Sequence, residues 1–225
     1  VSADSRTAVL GPTEASSPES GKDSRVAAWT HGAISAGLAI LWFFFAWASF
    51  ATWRKTGRPG GAGAVVLELV LVVLFLARRA PKESSKAPLD WFATIAAFTL
   101  LVARPVTDYS VSESWLFEVI QFVGVAGSLW SLLSLGRSFG LVAANRGLQT
   151  RGPYRFVRHP IYAFYFFVWI GYLLESPSTR NFVVFSAAAL CQFVRIYREE
   201  KFLRRDPAYE PYCRAVRYRL VPGIY

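Results

Sequence analysis

Runs of apolar residues about as long as a bilayer is thick, parted by short clusters of arginine and lysine, constrain this chain more than any other feature. A helix rises 1.5 Å per residue, so a hydrocarbon layer about 30 Å thick takes about 20 apolar residues to cross. Apolar blocks occupy residues 26–53, 62–77, 89–106 and 115–135, and two more occupy 161–174 and 181–197. Inside a bilayer no water satisfies the backbone, so each crossing segment must be a helix or part of a closed barrel. Unbroken apolar blocks, without strand-like alternation, select the helix. Only 18% of the residues are charged, against about 25% in soluble domains. The expected fold is therefore all-α: a polytopic transmembrane protein of five or six membrane helices. The uncertainty in the count lies in block 62–77, which is short and carries Glu68; it either spans or is a re-entrant helix. An intramembrane carboxylate is a candidate functional group, so Glu68 is a substrate-side candidate, with pairing to a neighbouring helix as its structural reading.

Residues 1–25 are rich in Ser, Pro, Gly, Glu and Asp and read as a disordered tail. Their order is wrong for a cleaved signal peptide. Residues 26–135 form an N-terminal set of membrane helices, and residues 136–225 form a second region, basic and aromatic. The formal net charge is +10, but the cations sit in loops between apolar blocks. No basic module stands free of the membrane, which argues against nucleic acid as a partner. With six spans, the loops on the side of both termini hold 3, 4, 5 and 7 Lys and Arg outside the apolar blocks, and the opposite loops hold 3, 1 and 1. That bias places both ends in the cytoplasm; with five spans the N-terminus flips outside. The preference for arginine over lysine suggests a bacterial source, hence an inner membrane. Cys191 and Cys213 give no disulfide framework, and His31 and His159 give no metal-ligand spacing. No metal is expected.

The second region holds the chemistry. Arg151-Gly152-Pro153-Tyr154-Arg155-Phe156-Val157-Arg158-His159-Pro160-Ile161-Tyr162 makes a turn and then opens an apolar helix with proline where the missing N–H is tolerated. A helix start beside several arginines is an expected anion site, although arginines and tyrosines at this depth also serve as interfacial anchors. Glu175-Ser176-Pro177-Ser178 then joins two apolar blocks into an expected helical hairpin. The last block ends in Arg195-Ile196-Tyr197-Arg198-Glu199-Glu200, which places Arg195 and Glu199 on one face. Asp206-Pro207-Ala208-Tyr209-Glu210-Pro211-Tyr212-Cys213-Arg214 and Leu220-Val221-Pro222-Gly223 follow as an amphipathic cap.

The order Gly-Pro-Tyr-Arg, Arg-His-Pro-x-Tyr, hairpin, Arg-x-x-x-Glu-Glu, Asp-Pro-x-Tyr-x-x-Tyr and a terminal Pro-Gly resembles the isoprenylcysteine carboxyl methyltransferase family, and phospholipid methyltransferases look similar over the same stretch. The resemblance covers about residues 135–223; the first four blocks match no motif. It implies S-adenosylmethionine as methyl donor, held at the cytoplasmic face beneath the cap. By that match Arg158, His159, Pro160 and Tyr162 line the cofactor pocket, and Glu199 and Glu200 are the paired glutamates needed for cofactor and activity. Arg195 stands near the reacting centre, and Tyr209, Tyr212 and Arg214 belong to the cap. Arg195 and Glu200 are thus the catalytic candidates. One departure stands out: a small residue commonly follows His-Pro-x-Tyr, and here Ala163-Phe164 stands there.

The chemistry agrees with what the resemblance implies. Glutamate suits the ammonium of such a cofactor, arginine its carboxylate, and tyrosine its ring and sulfonium. The implied partner is a lipophilic acceptor from the bilayer bearing a carboxylate, thiol or amine. The alternatives are a membrane reductase of sterol-reductase type using NADPH, and a non-catalytic lipid-binding protein.

Overall fold

The computed structural model describes residues 18–57, 59–81, 83–85, 87–102, 115–140, 144–145 and 147–225. The first seventeen residues of the tail and the loop 103–114 lie outside the described residues. Within them the fold is helical: α1 (Pro18–Thr56), α2 (Pro59–Ala77), α3 (Pro88–Val102), α4 (Trp115–Leu135), α5 (Pro160–Glu175), α6 (Thr179–Leu203) and α7 (Tyr209–Ala215). Two-residue strands, β1 (Glu83–Ser84) and β2 (Ala144–Asn145), pair antiparallel and tie the loop after α2 to the loop after α4. Such a rung was not foreseen, because two residues carry no alternation to read.

Three stretches, 28–55, 60–77 and 115–138, are long and apolar enough to cross a membrane, and α5 is apolar but shorter. The block with Glu68 is therefore an unbroken helix of 19 residues. α1 begins at Pro18, eight residues ahead of its apolar block, with proline in the first turn where it is tolerated. Large apolar side chains face outward on several helices: Trp47 is 64% exposed, Phe122 70% and Leu190 67%. A water-soluble surface does not carry so much; a lipid-covered one does. The chain is an integral membrane protein.

Inside, Ala39 of α1, Leu71, Leu74 and Phe75 of α2, Leu132 of α4 and Phe139 form one core. Phe75 meets Phe139 edge-on at 5.1 Å between centroids and stacks with Trp42 at 6.4 Å. α3 packs on α6, where the Arg198 guanidinium donates to Asp90 and Ser85 donates to the other oxygen of the same carboxylate.

α4 and α5 approach closely because α4 presents glycine to α5. A Cβ on Gly124 would stand 2.7 Å from the Val168 amide nitrogen and 2.9 Å from the Phe164 carbonyl oxygen, and one on Gly127 would collide with the Phe164 ring. This explains the departure at Ala163-Phe164. The bulk of Phe164 is received by α4, and Phe164 does not line the large cavity described below. Gly124→Ala is expected to destabilise the protein by about 1–3 kcal/mol, because the added methyl meets backbone that cannot move aside. The check is the thermal midpoint in detergent; an unchanged midpoint would mean that α4 and α5 tolerate a wider spacing.

Candidate active site

Three local devices bring the chemistry-bearing segments together. At the turn between α5 and α6, Ser178 caps α6 by accepting from the Asn181 amide, and the fully buried Asn181 donates to the Ser176 carbonyl. The two helices then pack side by side, with Trp169 stacked on Phe185 and Phe166 on Phe193. Further along, Tyr162 Oη donates to Glu199 at 3.0 Å, so the start of α5 meets the end of α6. Finally, the C-terminal segment folds back. The amides of Arg158 and His159 donate to the carbonyls of Tyr218 and Arg219, and Tyr212 Oη donates to the Tyr154 carbonyl at 2.7 Å.

Glu200 is the electrostatic centre of this knot, three residues beyond the apolar block. It is 3% exposed. Arg158 Nε donates to one carboxylate oxygen at 2.7 Å and Arg219 Nε to the other at 2.9 Å, while His159 Nε2 stands 3.4 Å away. Burial alone would raise the Glu200 pKa; His159, Arg158 and Arg219 outweigh it and hold the carboxyl at about 2. Arg158 is in turn fixed by its Nη1, which donates to the carbonyls of Val216 and Arg217. Glu200 thus fastens the C-terminal segment to the junction of α5 and α6.

In front of the knot lies a cavity of about 1250 Å³, open solvent at its mouth included. Its polar end carries Arg158, His159, Glu199, Asp206, Tyr209 and Tyr212. Trp42, Leu71, Leu135, Phe139 and Ile161 give it an apolar wall. Between them stand Tyr162, Arg195 and Gln192; the Arg195 guanidinium lies over the Tyr162 ring at 5.2 Å and donates to Gln192 Oε1 at 2.9 Å. A smaller cleft of about 250 Å³ between α3 and α6 shares Tyr162, Arg195 and Glu199 with the cavity, so these three side chains border both spaces.

Three buried polar atoms on the cavity wall make no hydrogen bond: His159 Nε2, whose approach to Glu200 is poorly aligned, Gln192 Nε2 and Tyr209 Oη. Such atoms cost about 1–3 kcal/mol each when left unmet. All three belong to residues that line the cavity, where a bound ligand can meet them.

Of the residues read from the sequence, Arg158, His159, Tyr162, Arg195, Glu199 and Tyr212 line this cavity. Four do not, each for a visible reason. Glu200 is turned into the knot behind the wall. Pro160 is buried at the first turn of α5, where it sets the helix start. Arg214 is exposed on the outer side of α7. Glu68 sits on α2 apart from the lining, whereas its neighbour Leu71 takes part. Just ahead of α5 the amides of Arg158 and His159 donate to the C-terminal segment, and Pro160 has no N–H. Sequence reasoning missed Arg219, Tyr154, Gln192 and the contributions of Trp42 and Leu71. Arg219 was visible within the cap but had no spacing to tie it to Glu200. Gln192 was legible only as three residues before Arg195, one turn along the same face.

Fold and cavity define an integral membrane protein whose own C-terminal segment folds back beside a cavity lined by both polar and apolar side chains. Residues 118–205 match the model of the isoprenylcysteine carboxyl methyltransferase (ICMT) family, which supports the resemblance drawn from the motifs. That family implies a membrane methyltransferase. The match covers α5 and α6 and most of α4, and stops short of α7 and the returning segment. No curated protein matches the chain.

Proposed function

We propose that this chain transfers a methyl group from S-adenosylmethionine to a lipophilic acceptor that enters from the bilayer. The observation that carries the reading is the pair His159 Nε2 and Tyr209 Oη, buried and without hydrogen bonds, on residues that line the cavity together with Glu199. The donor set fits the cofactor. Glu199 and Asp206 offer carboxylates for its ammonium, His159 a polar nitrogen for its carboxylate, and Tyr154, Tyr209 and Tyr212 flat faces for its ring. When bound, the cofactor supplies an electrophilic methyl on a sulfonium sulfur.

The residues of the chain then have limited work. Tyr162 holds Glu199 by its hydroxyl, and Arg195 is held across the Tyr162 ring and by Gln192. This frame aligns donor and acceptor, and alignment contributes up to about 7–11 kcal/mol in favourable cases. The Lys and Arg bias supports six spans with both ends in the cytoplasm of a bacterial inner membrane, so the cofactor enters from the cytoplasm.

The test is calorimetric binding of S-adenosylhomocysteine to the protein in detergent, with NADPH as the comparison. Binding of the first and not the second is expected; binding of NADPH alone would overturn the proposal. His159→Ala and Tyr209→Phe should each weaken S-adenosylhomocysteine about tenfold, the worth of one hydrogen bond in a buried site. Parent affinity in both variants would place the cofactor elsewhere.

A further inference from the structure

Arg78 is the first residue past the apolar stretch 60–77 of α2, and it is only 9% exposed. Its Nε donates to Ser35 Oγ of α1 at 2.9 Å, and its guanidinium carbon lies 5.5 Å from the centroid of the Phe75 ring. Ser35 Oγ itself donates to the His31 carbonyl at 2.8 Å. The cation thus meets a neutral hydroxyl and a ring face. No carboxylate among the described residues pairs with it, unlike Arg158 on Glu200 or Arg198 on Asp90. Burial lowers its pKa, and no neighbouring charge opposes that. A buried charge is costly unless it is paired. Both Nη nitrogens lack a hydrogen bond among the described residues, and neither belongs to the fully enclosed polar atoms of the fold.

The two helices set the level of this spot in the bilayer. The apolar stretch of α2 ends at Ala77, so Arg78 stands where hydrocarbon gives way to a headgroup layer about 5–7 Å thick. Trp29 lies six residues before Ser35 and so about 9 Å further out along α1. It is 81% exposed, as an aromatic side chain of the bilayer interface is. Two more arginines gather at the end of α2. Arg137 Nε donates to the Ala77 carbonyl at 3.0 Å, the Arg79 amide donates to the Arg137 carbonyl at 2.8 Å, and both side chains are exposed. Arg78 does not line the large cavity. Phe75, 0% exposed, stands between: it lies against Arg78 and also against Trp42 and Phe139, which do line it.

We propose that Arg78 binds the phosphate of an anionic phospholipid in the leaflet that meets the C-terminal end of α2. The site is separate from the methyl-transfer pocket and does not depend on that reading. With Nε spent on Ser35, the two Nη groups remain as a fork, and a phosphodiester offers two unesterified oxygens to match it. The lipid supplies the counter-charge that the fold does not. Arg79 and Arg137 add positive field, so a headgroup of net negative charge is preferred to phosphatidylcholine, whose own cation is repelled. Interfacial anchoring does not account for Arg78. An anchoring arginine extends its head toward water, whereas this one is packed against α1.

The full chain, delipidated in a neutral detergent, is given dioleoylphosphatidylglycerol, dioleoylphosphatidylcholine or inorganic phosphate at one concentration. The thermal midpoint is followed by tryptophan fluorescence, and native mass spectrometry counts retained lipids. Phosphatidylglycerol should raise the parent midpoint by about 3–5 °C and the other two by less than about 1 °C. Arg78→Gln keeps an amide donor for Ser35 but no charge. Its lipid-free midpoint should equal or exceed that of the parent, because an uncompensated charge is gone, and its gain from phosphatidylglycerol should fall by at least half. Arg78→Lys keeps the charge without the fork and should retain only part of the gain. Equal gains from phosphatidylglycerol and phosphatidylcholine in the parent overturn the proposal. An equal gain from inorganic phosphate also overturns it, since the site would then take a soluble anion. A lower lipid-free midpoint in Arg78→Gln with an undiminished lipid gain would reduce Arg78 to a structural donor for Ser35. Should Arg78→Gln fail to fold, Arg78→Lys decides: an undiminished midpoint gain and lipid count in that variant overturn the proposal.

Discussion

Glu200→Gln will abolish S-adenosylhomocysteine binding and lower the stability of the protein by about 3–5 kcal/mol, the usual cost of removing one partner from a buried ion pair. The carboxylate answers two guanidinium groups, Arg158 at 2.7 Å and Arg219 at 2.9 Å. A glutamine keeps one acceptor oxygen but no charge, so two cations lose their counter-charge, one of them in a site where Arg158 is 9% exposed. The loss spreads to the pocket. Arg158 holds Val216 and Arg217, and the returning segment places α7 with Tyr209 and Tyr212 over the cavity. Acid provides an independent reading. The Glu200 carboxyl is held at about 2 against an ordinary 4.5, and a displacement of that size is worth about 3 kcal/mol. Because the folded value is depressed, this stability is fully present above pH 4.5 and is lost as pH falls through the window down to 2. The parent should therefore show an acid-dependent drop in thermal midpoint over that window, and Glu200→Gln should start lower and lack that component. Parallel curves for the two proteins would show that the knot does not carry the stability assigned to it.

The membrane character of the chain was legible because length and apolarity are local properties, read one block at a time. The pairing of the start of α5 with the end of α6 was legible for a related reason. A short turn with Ser176, Pro177 and Ser178 forces successive helices together, and Tyr162 and Glu199 then meet. What was hidden depended on contacts distant in sequence. Arg219 reaches Glu200 only because the chain returns across Arg158 and His159, and no periodicity announces a loop's return. Trp42 and Leu71 come to the cavity through the α1–α2 pairing, which no motif marks. The division of labour between the paired glutamates was also out of reach. Adjacent on a helix they differ by about 100° in direction, so one faces the cavity and the other the knot, and only the packing of the C-terminal segment decides which.

Arg195→Leu should act on the other side of that division: methyl transfer falls by about a hundredfold or more, while S-adenosylhomocysteine affinity stays within about threefold. Removing one donor aimed at reacting atoms costs about 10²–10³ in turnover when its role is confined to the reacting group. On the proposed function Arg195 is such a donor. It borders both the large cavity and the smaller cleft toward α3, and is steered by the Tyr162 ring and by Gln192 rather than by the Glu200 knot. The leucine retains an apolar body against Tyr162, so a monodisperse protein is expected. The measurement is the initial rate of labelled methyl transfer to extracted membrane lipids, paired with calorimetry on the same sample. Arg195→Lys sharpens the outcome. It keeps the charge but not the flat guanidinium that covers the ring and reaches Gln192 at once, so a rate close to that of Arg195→Leu means that orientation dominates, and a rate close to the parent means that charge does. Transfer at the parental rate in Arg195→Leu would remove Arg195 from the reacting centre, and a loss of affinity matching the loss of rate would move it to the cofactor.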